Sequence, residues 1–163
     1  MGRSQIRAVR PKEYDDVAEL TARVYLTEGY GSPEYEPQLR DVAGRHAAAH
    51  VLVAVLDRRI VGTVTIATRG GGWAERAEAG EAVIRMLAVD PGVRGAGTGE
   101  SLVRACVQHA RKDGCRRVRL YTEPTMTVAH RLYERVGFVR TPADDWDPVP
   151  DVKLLGYRLE LAP

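Results

Sequence analysis

The clearest chemistry in the sequence lies in Met86-Leu87-Ala88-Val89-Asp90-Pro91-Gly92-Val93-Arg94-Gly95-Ala96-Gly97-Thr98-Gly99. An apolar strand runs into a turn with glycines at 92, 95, 97 and 99, and a helical pattern starts at once. Glycine permits positive-φ backbone and lets a ligand approach without meeting Cβ atoms. A helix that begins there turns its unpaired N–H groups and positive dipole end toward the turn. Together these features suit a phosphate or pyrophosphate.

Two familiar phosphate loops fail at named residues. Gly92 and Gly97 have P-loop spacing, but Thr98 stands where that loop needs lysine. The dinucleotide fingerprint fails from Gly95, where Glu100 fills the third glycine position, and from Gly97, where Leu102 does. Seven basic residues between 94 and 119 face only Glu100 and Asp113, a run that reads as a solvated face or as a field for an anionic ligand. His46 and His50 are four apart with no third ligand, so no metal site is expected. His109 and His130 fall on polar helix faces and are expected in solvent. Cys106 and Cys115 match no metal or redox spacing and read as reduced thiols in or near the core.

The surrounding pattern supplies the elements that hold this turn. Residues 4–9 read as a short strand stopped by Pro11, and Val17, Leu20 and Val24 continue as a helix broken at Tyr30-Gly31-Ser32-Pro33. An Ala-rich helix is expected over 34–49. Strands follow at 50–56 and 60–67, with Asp57-Arg58-Arg59 as a tight turn that lacks the favoured Asn-Gly or Asp-Gly pair. The third long strand covers 82–89. Leu102, Val103, Cys106, Val107 and Ala110 stripe the next helix, 117–122 is a strand, and Ala129, Leu132, Tyr133 and Val136 face inward from a helix closed by Gly137. Residues 154–161 form the last strand. The order is that of an α+β layer structure with an antiparallel start and a late βαβ crossover.

At this point the chain resembles a known family. Arg94-Gly95-Ala96-Gly97-Thr98-Gly99 fits the Arg/Gln-x-x-Gly-x-Gly/Ala signature of the GNAT acetyltransferases, flanked by Leu87-Ala88-Val89-Asp90-Pro91 before it and Ala129-x-x-Leu132-Tyr133-x-x-x-Gly137-Phe138 after it. The resemblance is strong over residues 81–139 and elsewhere rests on element order. It implies a three-layer α/β/α fold, a central mixed, mostly antiparallel sheet of six to seven strands flanked by about four helices. It also implies acetyl-CoA as co-substrate and transfer of its acetyl group to a primary amine of a small molecule or peptide, by direct attack in a ternary complex. The backbone amides of Arg94, Gly95, Ala96, Gly97, Thr98, Gly99 and Glu100 would cradle the CoA pyrophosphate, with the Arg94 side chain adding charge. Leu87, Ala88 and Val89 would hold the pantetheine arm through main-chain groups, on a strand that splays from its neighbour. An amide of that strand would polarise the thioester carbonyl. Tyr133 would be the general acid for the departing thiolate.

Two positions depart from the family. Where many relatives carry a carboxylate this chain has Tyr121, which leaves Glu123 and Glu81 as the two candidates for a base. Met126 stands where relatives often have an asparagine, with Thr125 and Thr127 beside it. The acceptor would be received by residues 25–35, 70–80 and 141–149, whose tyrosines, tryptophans and carboxylates suit a cationic amine. A catalytically silent acyl-CoA-binding module would keep the glycine turn but have no use for Tyr133. Dimers are common among the proteins it resembles, which leaves a homodimer open.

Bulk properties agree with one domain spanning residues 1–163. The chain is 44% hydrophobic and 28% charged, ordinary for a globular protein. A net charge of +2 argues against nucleic acid as the main partner. Met1-Gly2 is no myristoylation signal with Ile6 in place of Ser or Thr. No secretory h-region or membrane-length apolar run occurs, so no membrane partner is expected and the expected compartment is the cytoplasm.

Overall fold

The computed structural model describes residues 3–30 and 32–162; Met1, Gly2, Pro163 and Gly31, which belongs to the expected break at Tyr30-Gly31-Ser32-Pro33, lie outside them. Strands β1 (Gln5–Ala8), β2 (His50–Leu56), β3 (Arg59–Ala67), β4 (Glu81–Val89), β5 (Arg117–Thr122), β6 (Val139–Arg140), β7 (Trp146–Val149) and β8 (Val152–Glu160) form one sheet. Helices α1 (Tyr14–Glu28), α2 (Glu36–Arg40), α3 (Val42–Ala48), α4 (Thr98–Lys112) and α5 (Thr127–Val136) cover it. The sheet order is β1-β2-β3-β4-β5-β8-β6, with β7 paired to β8. Every pairing is antiparallel except β4 with β5, so the sheet is mixed as expected.

Both faces of this sheet are covered, and strand alternation shows how. Val51 and Val53 pack with Val17 and Val42 under α1 and α3, while Leu52 and Ala54 point the other way into the core under α4 and α5. The α4 stripe is buried at all five expected positions: Leu102, Val103, Cys106, Val107 and Ala110. Gly137, with φ +114, ends α5 by accepting a left-handed conformation that a side chain would resist. Cys106 and Cys115 are both buried free thiols.

The expected Ala-rich helix over 34–49 is not continuous. A 3₁₀ turn at Pro33–Tyr35 leads into α2, and Asp41 (φ −83°, ψ 66°) then leaves helical geometry. Its carboxylate accepts the Gly44 N–H at 2.9 Å and so caps a new helix, α3. Buried Arg45 donates to the Gln38 and Leu39 carbonyls at 2.7 and 3.0 Å, satisfying the C-terminal end of α2. Helical periodicity survives such a break, which is why composition concealed it. The expectation of about four helices becomes five, and the short β6 and β7 raise the strand count among the described residues to eight.

The β2–β3 hairpin turns on two residues, with Leu56 facing Arg59 and both Asp57 and Arg58 at positive φ (50° and 66°). That is the geometry for which Asn-Gly is preferred. Replacing Asp57-Arg58 with Asn-Gly is expected to raise stability by about 1 kcal/mol and Tm by roughly 2–4 °C in thermal unfolding.

Candidate active site

β4 and β5 pair in parallel only from Glu81/Arg117 to Ile84/Leu120. Beyond that point β4 stays bonded to β3 and β5 stays bonded to β8, yet no pairing joins the two strands to each other. A bulge marks the change. Met86 and Leu87 together oppose Val64, between the Thr65/Arg85 and Thr63/Ala88 pairs, and Met86 sits at φ +57. The inner edge of β4 from Arg85 to Val89 therefore carries backbone groups that β5 does not use.

This opening leads straight to the glycine turn. Asp90 donates its N–H to the Val61 carbonyl at 2.8 Å and accepts the Gly92 N–H at 2.9 Å, fixing the chain as it leaves the strand. Gly95 and Gly97 lie at φ +88 and +81, and a Cβ built on either meets nothing within 4 Å. That open space is what a close-approaching ligand needs. In α4 the first N–H bonded back into the helix is that of Ser101, to Gly97, so the amides before it face the turn. Gly99 serves a different purpose: a Cβ there would lie 2.9 Å from Leu132 Cδ1, so its absence lets α5 close on α4.

A cleft of about 760 Å³ joins these features. Its lining includes Leu87 and Val89 from β4, Arg94, Gly95, Gly97, Thr98, Gly99 and Glu100 from the turn, and Glu123, Met126, Leu132 and Tyr133 from the β5–α5 side. Ala88 alternates away, buried against Leu20 and Val24 of α1, and Ala96 is exposed on the turn. The Arg94 side chain is paired with Glu28 of α1. Glu100 receives Arg104 at 3.1 Å and Arg135 at 3.0 Å. Of the basic run, Arg94 and Arg104 are thus each paired with a carboxylate.

Tyr133 is 6% exposed, edge-on to Phe138 (6.0 Å between centroids) and tilted against Tyr157 (6.2 Å). Burial raises its phenol pKa above the ordinary value, with smaller contributions from Cys106 and Tyr157, so the group holds its proton through the neutral range. Glu123 is half-buried at the end of β5 and lines the same cleft, while its carbonyl oxygen lies 3.0 Å from His130 Nε2. Thr122 donates its hydroxyl to Met126 Sδ at 3.3 Å, placing the thioether on the cleft wall; Thr125 and Thr127 are exposed.

Glu81 is brought elsewhere. It is 2% exposed at the closed end of the β4–β5 pair, where it accepts the Glu78 N–H at 2.8 Å and the Arg117 guanidinium at 2.5 Å. Arg119 Nε lies 2.7 Å away as an ion pair, with its N–H off the line of a hydrogen bond. Arg117 also reaches Glu160 at 2.6 Å, and Arg119 approaches Asp144 (3.6 Å), which Arg158 clasps at 2.5 and 2.8 Å. Burial alone would raise the Glu81 pKa, but the Glu78 N–H and the two arginines outweigh it and hold the carboxyl below its usual value.

Two other expectations change. His109 is half-buried, its ring 4.6 Å from that of His50, and burial together with His50 lowers its pKa. His130 is also half-buried, over Tyr157. Asp144 and Asp145 of the third acceptor loop are committed to Arg158 and Arg140. Each of the three loops still reaches the cleft, through Tyr25, Tyr30, Glu34 and Tyr35, through Glu75, and through Trp146. The sequence reading missed Arg85. Its signal was present: it is the one charged residue within the apolar run 82–89.

Comparison with known proteins agrees with this geometry. The family model described as "Acetyltransferase (GNAT) family" matches residues 14–138, and the chain belongs to that family. Among curated proteins it is 38% identical to a mycothiol acetyltransferase of Cellulomonas flavigena over 98 residues, which is 59% of this chain and 28% of that one. It is 33% identical to a mycothiol acetyltransferase of Sanguibacter keddieii over 146 residues, 85% of this chain and 44% of the relative. The chain thus spans less than half the length of these relatives. A GNAT-family acetyltransferase of Staphylococcus aureus Mu50 shares the fold with TM-score 0.78 at 17% identity, covering 98% of this chain and 99% of that one. A GNAT-family acetyltransferase of Brucella melitensis, solved in complex with acetyl-CoA, superposes with TM-score 0.68 at 21% identity, covering 100% and 91%. No helix among the described residues is long and apolar enough to cross a membrane.

Removing one partner from the Glu81 cluster strands buried guanidinium charge. Glu81→Gln is expected to cost roughly 3 kcal/mol in urea unfolding at neutral pH. Glu81 and Asp144 are both held below their ordinary pKa values, Asp144 chiefly by Arg158. Their contribution is therefore complete above the unfolded carboxylate range, near pH 4, and is lost as pH falls through the folded values. The gap between wild type and Glu81→Gln should narrow on acidification below pH 4.

Proposed function

We propose that this chain is an acetyl-CoA-dependent N-acetyltransferase, acting on a primary amine by direct attack within a ternary complex. The observation that carries this reading is that β4 and β5 part after Ile84/Leu120 at the end facing the glycine turn, with Tyr133 in the wall of the resulting cleft. The open space at Gly95 and Gly97 and the unspent amides of early α4 fit a pyrophosphate. The unpaired inner edge of β4 fits the amide groups of a pantetheine arm, in the manner of an added strand. Family membership and relatives named acetyltransferases support the acyl group; those relatives' substrate is not carried over, given the partial overlap.

In this reading a β4 amide donates to the thioester oxygen, and the amine nitrogen forms a bond to the acetyl carbon as the carbon–sulfur bond breaks. Tyr133 gives its proton to the sulfur. The attacking ammonium first loses a proton toward Glu123, through water, and its nitrogen loses a second as the amide forms; one of the two restores Tyr133 through solvent and the other is released to solvent. Glu81, locked in its arginine cluster, has no part in proton transfer.

Acetyl-CoA at about a hundred times its Kd should stabilise the protein by about 2.7 kcal/mol, roughly 5–10 °C in a thermal shift. Gly97→Val, which forces a side chain onto positive φ inside the cradle, should abolish that shift. Tyr133→Phe should keep the shift but lower kcat on the order of a hundredfold in a thiol-release assay. Because the raised pKa keeps the acid protonated, wild-type kcat should show no loss attributable to Tyr133 until pH exceeds 10. Stabilisation without thiol release toward any amine would instead make the chain a silent acyl-CoA-binding module.

A further inference from the structure

Resting on the acetyltransferase reading, we propose that the acceptor is a small amine that also carries a carboxylate, an amino-acid-like zwitterion, and that Arg85 binds the carboxylate. Arg85 lies at the mouth of the opening, one residue beyond the last β4–β5 pair and one before the bulge. Ile84 and Leu120 point into the core under α4 and α5, so Arg85 and Tyr121, the next residues along, face the opposite side, beneath the acceptor loops. Tyr133 belongs to the α4/α5 side, so the proposed acid and Arg85 flank the opening from its two faces.

The charge pattern singles out Arg85. The other two guanidinium groups lining the cleft are spent on carboxylates, Arg94 on Glu28 and Arg135 on Glu100. Arg85 makes no ion pair among the described residues. Its Nη2 donates to the Tyr35 hydroxyl at 2.7 Å, and its planar head lies 5.3 Å from the Trp73 ring and 6.0 Å from that of Tyr35. Aromatic neighbours orient the fork while leaving donors over, which is the arrangement that receives a carboxylate.

The same wall holds two further donors without acceptors. Tyr121 Oη and Trp146 Nε1 are shut off from solvent and have no hydrogen-bond partner among the described residues, and their rings meet edge-on at 6.0 Å. Buried donors left unmade are costly, and an acceptor oxygen reached by a small turn of either ring would relieve them. Glu34 and Glu75 line the rim, where they would draw the ammonium in before it reaches the opening. A polycation would set charge against Arg85, whereas a zwitterion matches both signs.

The test pairs amino acids with their carboxamides, and adds spermidine, in a thiol-release assay with acetyl-CoA. Wild type should favour the carboxylate member by on the order of tenfold to a hundredfold in kcat/KM. Arg85→Gln should erase that ratio, and Arg85→Lys should restore part of it, an effect that a merely structural role in seating Tyr35 and Trp73 would not produce. Both variants should keep the acetyl-CoA thermal shift. Equal rates within each pair, preference for spermidine, or no turnover of any carboxylate-bearing amine would overturn the inference. Loss of the wild-type thermal shift would instead overturn the acetyl-CoA reading beneath it.

Discussion

The whole site depends on two parallel strands that stay in one sheet while losing each other. β4 remains held by β3 along its outer edge and β5 by β8, so neither can swing freely. The bulge at Met86 bends β4 away from β5, and the inner edge it leaves has no strand partner among the described residues. Backbone groups inside a folded domain are normally paired, so an unpaired edge within a sheet is a place prepared for something else. The glycine turn, the start of α4 and Tyr133 take their meaning from where that edge points.

An opening at one end needs a fastening at the other. Glu81 and Arg117, the first residues of β4 and β5, face each other in register and form the first link of the ion-pair chain that runs through Arg119 and Asp144 to Arg158. Arg117 also ties β5 to Glu160 of β8. Such networks add little net stability compared with apolar packing, but they specify which groups meet. Here they fix the closed end of the strand pair, and this gives Glu81 a structural task. Packing completes the arrangement, since Gly99 lets Leu132 approach and brings α5, with its tyrosine, against α4.

Much of this was legible in the sequence because it was encoded locally. The strand, glycine turn and helix of residues 82–112 were readable from composition and period, while Tyr133 stood out only through the family resemblance carried by Leu132-Tyr133-x-x-x-Gly137-Phe138. What was concealed depended on contacts distant along the chain. Glu81 looks like a strand-end charge until Arg117, Arg119 and the Glu78 amide close around it. Asp144 and Asp145 look like an acidic rim until Arg158 and Arg140 claim them. The break at Asp41 was hidden because one capping carboxylate interrupts a helix without disturbing its apolar period. Arg85 was written plainly as a charge in an apolar strand, yet only the strand register shows that it stands at the opening.

Amide hydrogen exchange with and without acetyl-CoA addresses the central claim most directly, because it reads the backbone groups on which the account rests. Acetyl-CoA should protect the amides of residues 94–100 and of 85–89 while leaving those of 81–84, already paired with β5, unchanged. Protection confined to some other surface, or none in either segment at saturating ligand, would contradict it.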